Sequence, residues 1–396
     1  MQMTDTTYSV PAGVAGVQRL ALGVGVVGLG LMALGYTASH EHFFRSYLMA
    51  FVFWVGVALG SLAWSMVHHL SGGAWGVVTR RVFEASSRTV PFMAVLFLPI
   101  AFGVGELYVW ARPEVVEHDA ILQFKQPYLN VPFFYIRAAI YFAIWTALAY
   151  MLSAWSLQQD AGYDGRRAVR MQRLSGGGLV LYALTIFFMS VDWMMSIDPH
   201  WFSTIYGILF MGGQGLSAMA FTIAVVVLLA RTEPLSRVIG PNHLHDLGKL
   251  LLAFVMLWAY FNFSQFLIIW SGNLPEEIPW YLSRMSGGWE WVSILLVVGH
   301  FGLPFVLLLN RDLKRTGTTV VAIAAIVIAM RFVDLFWLLG PEHGKPLLAV
   351  HWLDVVAPVA VGGIWVALFL WQLGTRPLLP LTEPTLQEAI EAGAGH

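Results

Sequence analysis

The sequence predicts an all-α integral membrane protein with ten transmembrane helices, and three observations support that fold class. Hydrophobic residues make up 58% of the 396 residues and charged residues only 11%, against about 45–50% and about 25% in soluble domains. The chain has 17 Trp, 26 Phe and 38 Gly, an enrichment that is typical of membrane proteins. Its apolar residues are grouped into stretches of about 20, the length that crosses a bilayer core. A soluble protein is therefore disfavoured, and no basic patch suggests a nucleic-acid partner.

Ten apolar stretches can be separated along the chain, which as a whole (residues 1–396) is expected to form a single membrane domain. They cover residues 17–37, 43–68, 88–110, 132–157, 175–197, 203–230, 249–271, 290–311, 318–339 and 351–374. Between the second and third stretches, Ala74 to Ser87 combines aromatic residues with Arg80 and Arg81, which predicts a short helix on the membrane surface. Residues 376–396 contain several prolines and then become acidic, and we expect them to form a cytoplasmic tail on the surface.

Cysteine is absent, which excludes disulfides, thiolate-held iron–sulfur clusters and covalently attached c-type haem. The polar residues 1–16 do not have the basic and then apolar pattern of a cleaved signal peptide. We therefore expect the first stretch to act as its own insertion signal.

The distribution of Arg and Lys predicts how the chain is oriented. If both termini are cytoplasmic, the inner segments carry fifteen basic residues and the outer segments five. The outer five are Arg45, Arg112, Lys125, Arg284 and Lys345. Because cytoplasmic segments of membrane proteins carry the excess of positive charge, this ratio favours cytoplasmic termini.

The fifth and ninth stretches share a polar pattern. Each has Val-Asp deep in the stretch, at Asp192 and Asp334, with a proline seven residues later and a histidine just beyond it. This match predicts two four-helix repeats, residues 43–197 (spans 2–5) and 203–339 (spans 6–9), with spans 1 and 10 as additions. Because the offset is four spans, the repeats are parallel, unlike the inverted repeats of many transporters. Chance matching in apolar sequence is the alternative.

Six ionisable residues stand out inside the apolar stretches, where a charge costs at least about 2.5–3.5 kcal/mol on insertion scales. They are Glu106, Arg137, Asp192, His300, Arg331 and Asp334. Arg331 and Asp334 share one helix face and can pair, whereas Arg137 could pair with Glu106 or Asp192. Two interpretations are open. The residues form permanent ion pairs between helices, or they exchange protons and bind the head of a quinone, which needs hydrogen-bonding groups and a proton acceptor.

His68 and His69 end the second stretch on the inner side. A b-type haem would need axial ligands from facing helices, and His300 is the only other histidine well inside a stretch. Because His300 lies near mid-depth, this pairing is poor and haem is disfavoured. We expect His68 and His69 to be surface histidines or the inner mouth of a proton path, and we expect no metal site.

Four strings of residues resemble a known family. They are Phe44-Arg-Ser-Tyr-Leu48, His68-His-Leu-Ser-Gly-Gly-Ala-Trp-Gly76, Tyr128-Leu-Asn-Val-Pro-Phe-Phe-Tyr-Ile-Arg137 and Ser190-Val-Asp-Trp-Met-Met-Ser-Ile-Asp-Pro-His-Trp201. With the ten stretches and the repeat, they look like the ActF-type polytopic subunit of bacterial alternative complex III. That subunit belongs to the NrfD/PsrC-like family of quinone-interacting membrane subunits. The resemblance covers nearly the whole chain.

The resemblance implies a membrane subunit of a quinol:electron-acceptor oxidoreductase in a respiratory or photosynthetic chain of the bacterial plasma membrane. Its implied partners are a multihaem cytochrome c subunit, an iron–sulfur subunit, a paralogous ten-span subunit and lipid. The chain would hold no redox centre and no covalent cofactor, and menaquinone or another quinone is the candidate ligand. Its role would be scaffolding and proton transfer, with Asp192 and Asp334 as proton acceptors and Glu106 and His300 as relays. A purely structural paralogue and a stand-alone ion-coupled transporter are the alternatives.

Overall fold

The structure, a computed structural model, describes residues 8–341 and 347–394, and within these ranges the chain is helical without any β-strand. The described ranges contain ten helices that are long and apolar enough to cross a membrane. They run over Gly13–Ala38 (α1), His40–Ser71 (α2), Ala74–Phe102 (α3), Val131–Asp160 (α4), Gly165–Ile197 (α5), Tyr206–Leu229 (α6), Pro241–Gly272 (α7), Trp289–Leu309 (α8), Gly317–Leu339 (α9) and Trp352–Gly374 (α10). Each overlaps the stretch expected at its place, which confirms the number of spans.

Because successive spans alternate in direction, the two ends of the described chain lie at one face of the bundle. The Leu378 amide donates a hydrogen bond to the Tyr8 carbonyl at 2.8 Å. We call this the terminal face, and the other the opposite face. Short helices connect the spans, at Val104–Leu107, Val109–Ala111, Pro113–Val116, Ala120–Lys125, Leu235–Arg237, Pro279–Leu282 and Arg311–Arg315, and a short helix at Met195–Ile197 ends α5.

The helices α2 and α6 form the centre of the bundle. In the most apolar 18-residue segment of each helix, 83% and 78% of the residues are buried. Small residues allow the two backbones to approach closely. A Cβ atom on Gly60 would collide with the backbone carbonyl of Gln214 and with Ala218. In the same contact, the Trp64 indole donates to the Gly215 carbonyl at 2.8 Å. The glycines of these two spans are therefore packing residues.

The helices α1 and α10 pack along each other at the side of the bundle. A Cβ atom on Gly25 would meet the backbone of Gly363 and Ile364, and one on Gly28 would meet Ala360. Because α10 also contacts α2, it links α1 to the central helices.

Two spans are irregular, for reasons visible in their sequences. The helix α3 consists of Ala74–Ser87, Val90–Leu96 and Leu98–Phe102, and the later segments begin at prolines, which lack a backbone donor. The helix α8 has a π-helical segment at Leu296–Gly302 directly before Pro304. Such segments occur frequently at functional sites in helices. Under an offset of four spans, α3 and α8 do not correspond to each other.

One prediction about the surface was wrong. The helix Ala74–Ser87 is buried from Gly76 to Ser87 and does not lie on the membrane surface. The tail lies on the surface of the bundle, where Leu381, Glu388 and Glu391 are exposed, but it is anchored there, since Leu378 and Leu379 are buried and the helix Leu386–Ala394 packs on Ala74–Ser87 and on α7. The physical reason is that acids of the bundle and the tail neutralise the arginines of Ala74–Ser87.

Some sequence predictions fall outside the described residues. They concern residues 1–7, His343 and Lys345 between residues 342 and 346, and the last two residues of the tail.

Gly60→Ala is expected to lower the free energy of unfolding by about 1–3 kcal/mol, because the new methyl group forces α2 and α6 apart. The measurement is thermal unfolding of the purified protein in detergent. Gly30→Ala on α1 is the matched control, since nothing lies within 4 Å of a Cβ atom there. Equal midpoints for the two variants would show that the contact between α2 and α6 tolerates a side chain.

Candidate functional site: two buried arginine–carboxylate centres

The first centre joins α4 and α5 around Asp192, which is fully buried. Arg137 Nε donates to Asp192 Oδ2 at 2.8 Å, and the Tyr141 hydroxyl donates to the same oxygen at 2.7 Å. Arg137 and Tyr141 are one helical turn apart on α4, so both reach the same carboxylate. Of the two partners that the sequence allowed for Arg137, the structure selects Asp192.

Two aromatic rings cover the Arg137 guanidinium on the side that points towards the opposite face of the bundle. It lies 4.0 Å from the ring centre of Tyr128 and 4.3 Å from that of Phe133, and Nη1 donates to the Tyr128 carbonyl at 2.9 Å. Burial, with the Asp192 carboxylate close by, raises the pKa of Tyr128. The phenol therefore stays protonated at neutral pH and can donate a hydrogen bond.

The second centre lies on α9, where Arg331 and Asp334 form the ion pair that their spacing predicted. The Trp258 indole of α7 donates to the same carboxylate oxygen, Asp334 Oδ2, at 3.0 Å. The guanidinium occupies space that α6 leaves open at Gly213, where a Cβ atom would collide with it. Both acids of the predicted repeat are thus buried and bound by an arginine.

His300 belongs to the second centre. It lies in the π-helical segment of α8, is fully buried, and its ring is 4.2 Å from that of Trp258. Neither ring nitrogen has a hydrogen-bond partner within the described part of the chain. Buried polar atoms without a partner are rare and commonly mark a site for ordered water. The histidine, Trp258 and Asp334 therefore form a compact polar group inside the bundle.

The placement of Glu106 inside a span was wrong. Because α3 ends at Phe102, Glu106 falls in the short helix Val104–Leu107 beyond the span, where its side chain is exposed. It takes no part in the ion pair of Arg137. The end of the helix at Gly103 explains the error, since the sequence is apolar enough to continue to Trp110.

His68 and His69 lie at the terminal face, separate from both centres. His68 is buried against Trp75, with ring centres 5.6 Å apart, and His69 Nδ1 lies 3.0 Å from Ser175 Oγ on α5. They are therefore not surface histidines. The haem alternative gains no support, because His300 instead contacts Trp258 midway along α7 and α8.

A cluster of buried charges beside these histidines, here called the terminal-face cluster, was missed by the sequence analysis. Its central residue is Glu84, whose carboxylate lies 2.7 Å from Arg81 Nη1 and 3.5 Å from Arg376 Nη1 of the tail. The cluster also contains ion pairs of Arg80 with Glu84 and Glu383 and of Arg81 with Asp160. Burial lowers the pKa of Arg376 to about 10, so it remains charged at neutral pH.

Polar side chains follow one face of α5 between the Asp192 centre and the terminal face. Thr185 accepts a hydrogen bond from the Trp145 indole at 2.8 Å, and the Tyr182 hydroxyl donates to Gln214 Oε1 at 2.7 Å. Ser175 then contacts His69. Residues 192, 185, 182 and 175 share a face because they are seven, three and seven positions apart.

A cavity of about 630 Å³ lies between α7 and α8. Trp258 forms part of its wall, so a single side chain contacts the cavity, His300 and Asp334. No motif in the sequence indicates this cavity, because its lining comes from three spans and a loop that are all rich in aromatic residues.

The fold and these centres define a multi-pass α-helical membrane protein with buried arginine–carboxylate pairs. No known family model and no curated protein matches the chain.

Arg137→Met is expected to destabilise the protein by about 3–5 kcal/mol, because it leaves the Asp192 carboxylate buried without its cation. Thermal unfolding in detergent measures the loss. The matched control is Arg237→Met, which removes an exposed ion pair with Glu233 and should change stability by about 0–1 kcal/mol. A loss at position 137 no larger than at position 237 would contradict the role of this pair in holding α4 to α5.

Proposed function

We propose that this chain is a membrane subunit of a quinol:electron-acceptor oxidoreductase of the alternative complex III type, in which it provides scaffold and proton transfer. The family resemblance of the sequence supports the type of complex. Multihaem cytochrome c and iron–sulfur partners carry the electrons, and the quinol site belongs to the paralogous ten-span subunit. The protein lies in the bacterial plasma membrane with the terminal face in the cytoplasm. The segments that join the spans at this face contain several arginines, among them Arg166, Arg167 and Arg311, and this excess of positive charge supports that orientation.

The observation that carries the proton-transfer role is the Asp192 centre. A carboxylate, an arginine and two tyrosines lie together, closed from lipid and next to the opposite face. Asp192 can take up a proton. A tyrosine hydroxyl can pass a proton on by donating its own proton to one neighbour and accepting another proton in its place. A merely structural ion pair would not need the Tyr141 hydroxyl at the same carboxylate oxygen, with a second hydroxyl, that of Tyr128, buried close by without a partner among the described residues.

The polar face of α5 is the proposed path of the proton between the Asp192 centre and the terminal face. Asp192 and Ser175 are 17 residues apart, which corresponds to about 25 Å along a helix and so to most of the about 30 Å bilayer core. Thr185, Tyr182 and its partner Gln214 lie between these ends. Ordered water would connect these groups, and His69 lies at the terminal-face end.

The two centres also support the parallel four-helix repeat. Asp192 and Asp334 lie near the opposite-face ends of α5 and α9, and an arginine binds each of them. The arginine comes from α4 in the first centre and from α9 itself in the second. In the proposed repeat, the two copies of one ancestral site have therefore diverged in how they neutralise the acid.

The type of complex can be tested by native purification through this chain. We expect haem and iron–sulfur absorption from co-purifying subunits, with extractable quinone. A single chain that is free of haem and quinone would overturn the proposal, and uptake assays on the purified chain would then test the transporter alternative.

Asp192→Asn in the intact complex is expected to lower quinol-oxidation turnover by about tenfold or more, because an amide cannot accept the proton that general-base transfer requires. Assembly should be retained, since the amide oxygen can still accept from Arg137 and Tyr141, and the guanidinium keeps the Tyr128 carbonyl and the rings of Tyr128 and Phe133. Turnover and subunit content are measured on the same preparation. The control is the exposed Glu106→Gln, for which turnover should stay unchanged. Normal turnover of the Asp192→Asn complex would remove this residue from the mechanism.

A further inference from the structure

The cavity between α7 and α8 opens towards the bilayer. Its lining is almost entirely apolar and is largely aromatic, with Phe263, Phe266 and Phe301 among the residues. Tyr260 and Val297, at its edge, are more than 60% exposed on the outside of the bundle. A hydrocarbon chain can therefore enter the cavity from the side, whereas a polar solute would find almost no hydrogen-bonding surface inside.

Most polar groups of the cavity lie at one end, and Asn262, which lies deeper on α7, donates its amide to the Trp258 carbonyl of its own helix at 2.9 Å. Tyr281 and Arg284 belong to the loop at the opposite face that connects α7 and α8, and Ser293 lies one turn inside α8. Phe301, by contrast, is 12 residues into α8, which is about 18 Å deep. The cavity thus has a polar upper end at the level of lipid headgroups and an apolar lower end near the middle of the bilayer.

Arg284 places a buried positive charge at the upper end. It is only 3% exposed, and its hydrogen bonds go to the carbonyls of Trp337, Trp280 and Leu338 and to the Ser283 hydroxyl. These are neutral acceptors, and the Asp198 carboxylate acts on the guanidinium electrostatically. Burial lowers the pKa of Arg284 to about 9, so the group remains charged at neutral pH.

Arg284 and Tyr281 retain donors for a ligand. A guanidinium has five N–H groups, and four hydrogen bonds to the protein leave one of them. The Tyr281 oxygen accepts from Gln265 Nε2 at 3.3 Å, which leaves its hydroxyl proton to donate. A buried cation that is hydrogen-bonded only to neutral groups favours an anionic ligand, and phosphate oxygens are good acceptors for arginine.

We infer that the cavity between α7 and α8 binds an anionic phospholipid, with the phosphodiester at Arg284 and Tyr281 and one acyl chain in the aromatic slot. The positive charge at the upper end complements the phosphate of such a molecule, and the deep apolar lower end accommodates its acyl chain. Because Trp258 is shared between the slot and Asp334, the acyl chain also shields the second centre from the bilayer. The site is separate from the proposed electron-transfer function and does not depend on it.

The test is native mass spectrometry of the delipidated full-length chain after addition of phosphatidylglycerol or phosphatidylcholine with identical acyl chains. We expect one tightly held phosphatidylglycerol per chain, retained about tenfold better than phosphatidylcholine, a ratio that corresponds to about 1.4 kcal/mol. Arg284→Gln should remove the preference between the two lipids.

A second variant keeps the test valid if Arg284→Gln does not fold. Ala259 lines the cavity, so Ala259→Phe fills the slot and should lower retention of phosphatidylglycerol about tenfold. The matched control is Leu257→Phe, two residues away on the outer surface of α7, where retention should stay within about twofold of the unaltered chain.

Three results would overturn the inference. Unchanged retention in Ala259→Phe would show that the lipid binds elsewhere, and equal retention of both lipids by the unaltered chain would remove the role of the charge. The third is a quinone extracted at one per chain that phosphatidylglycerol does not displace, which would make the slot a quinone site. None of them affects the proposed complex, because its test is the set of co-purifying subunits.

Discussion

The neutralisation of buried charge is the constraint on which the rest of this structure depends. In a bilayer core, an unpaired charge costs several kcal/mol, so each buried carboxylate needs a cation in a fixed place. Arg137 and Asp192 therefore set the relative position of α4 and α5. Arg331, Asp334 and Trp258 do the same for α7 and α9. The apolar contacts around these pairs are less specific, because lipid tails are as apolar as these side chains and can replace them.

Close backbone contact supplies what the charges do not. The central contact of α2 and α6 has no ion pair and depends on Gly60 and on the hydrogen bond from Trp64 to Gly215. Without a hydrophobic driving force between helices in lipid, such close approach is the main source of packing energy. The centre of the bundle is therefore built from small residues, and the charged residues lie around it.

The ten spans could be predicted because length and composition alone decide whether a helix can cross a bilayer. The pair of Arg331 and Asp334 could be predicted as well, since both residues are on one helix face. The choice of Asp192 over Glu106 for Arg137 could not, because it depends on where α3 ends. The contributions of Tyr141 and Trp258 to the carboxylates were also missed. Nothing in their sequence context distinguishes them from the many other aromatic residues in these spans.

The error over Ala74–Ser87 has the same origin. Amphipathic composition indicates that a helix needs a polar environment on one side, but not whether headgroups or other side chains provide it. Here the partners are Asp160 at the end of α4 and two residues of the tail, Arg376 and Glu383, about 300 positions away in the sequence. Local pattern cannot reveal a contact of that range.

This dependence on the tail has a consequence for biosynthesis. The arginines of Ala74–Ser87 enter the membrane region early, yet Glu383, one of their counter-ions, is made about 300 residues later. Until Glu383 has been made, Arg80 has only Glu84 as its acid, and the tail helix cannot occupy its docking surface on α7. Completion of the terminal face therefore comes after all ten spans have been made. A chain that stops before residue 376 would insert all ten spans and still leave this docking surface open to quality-control proteases.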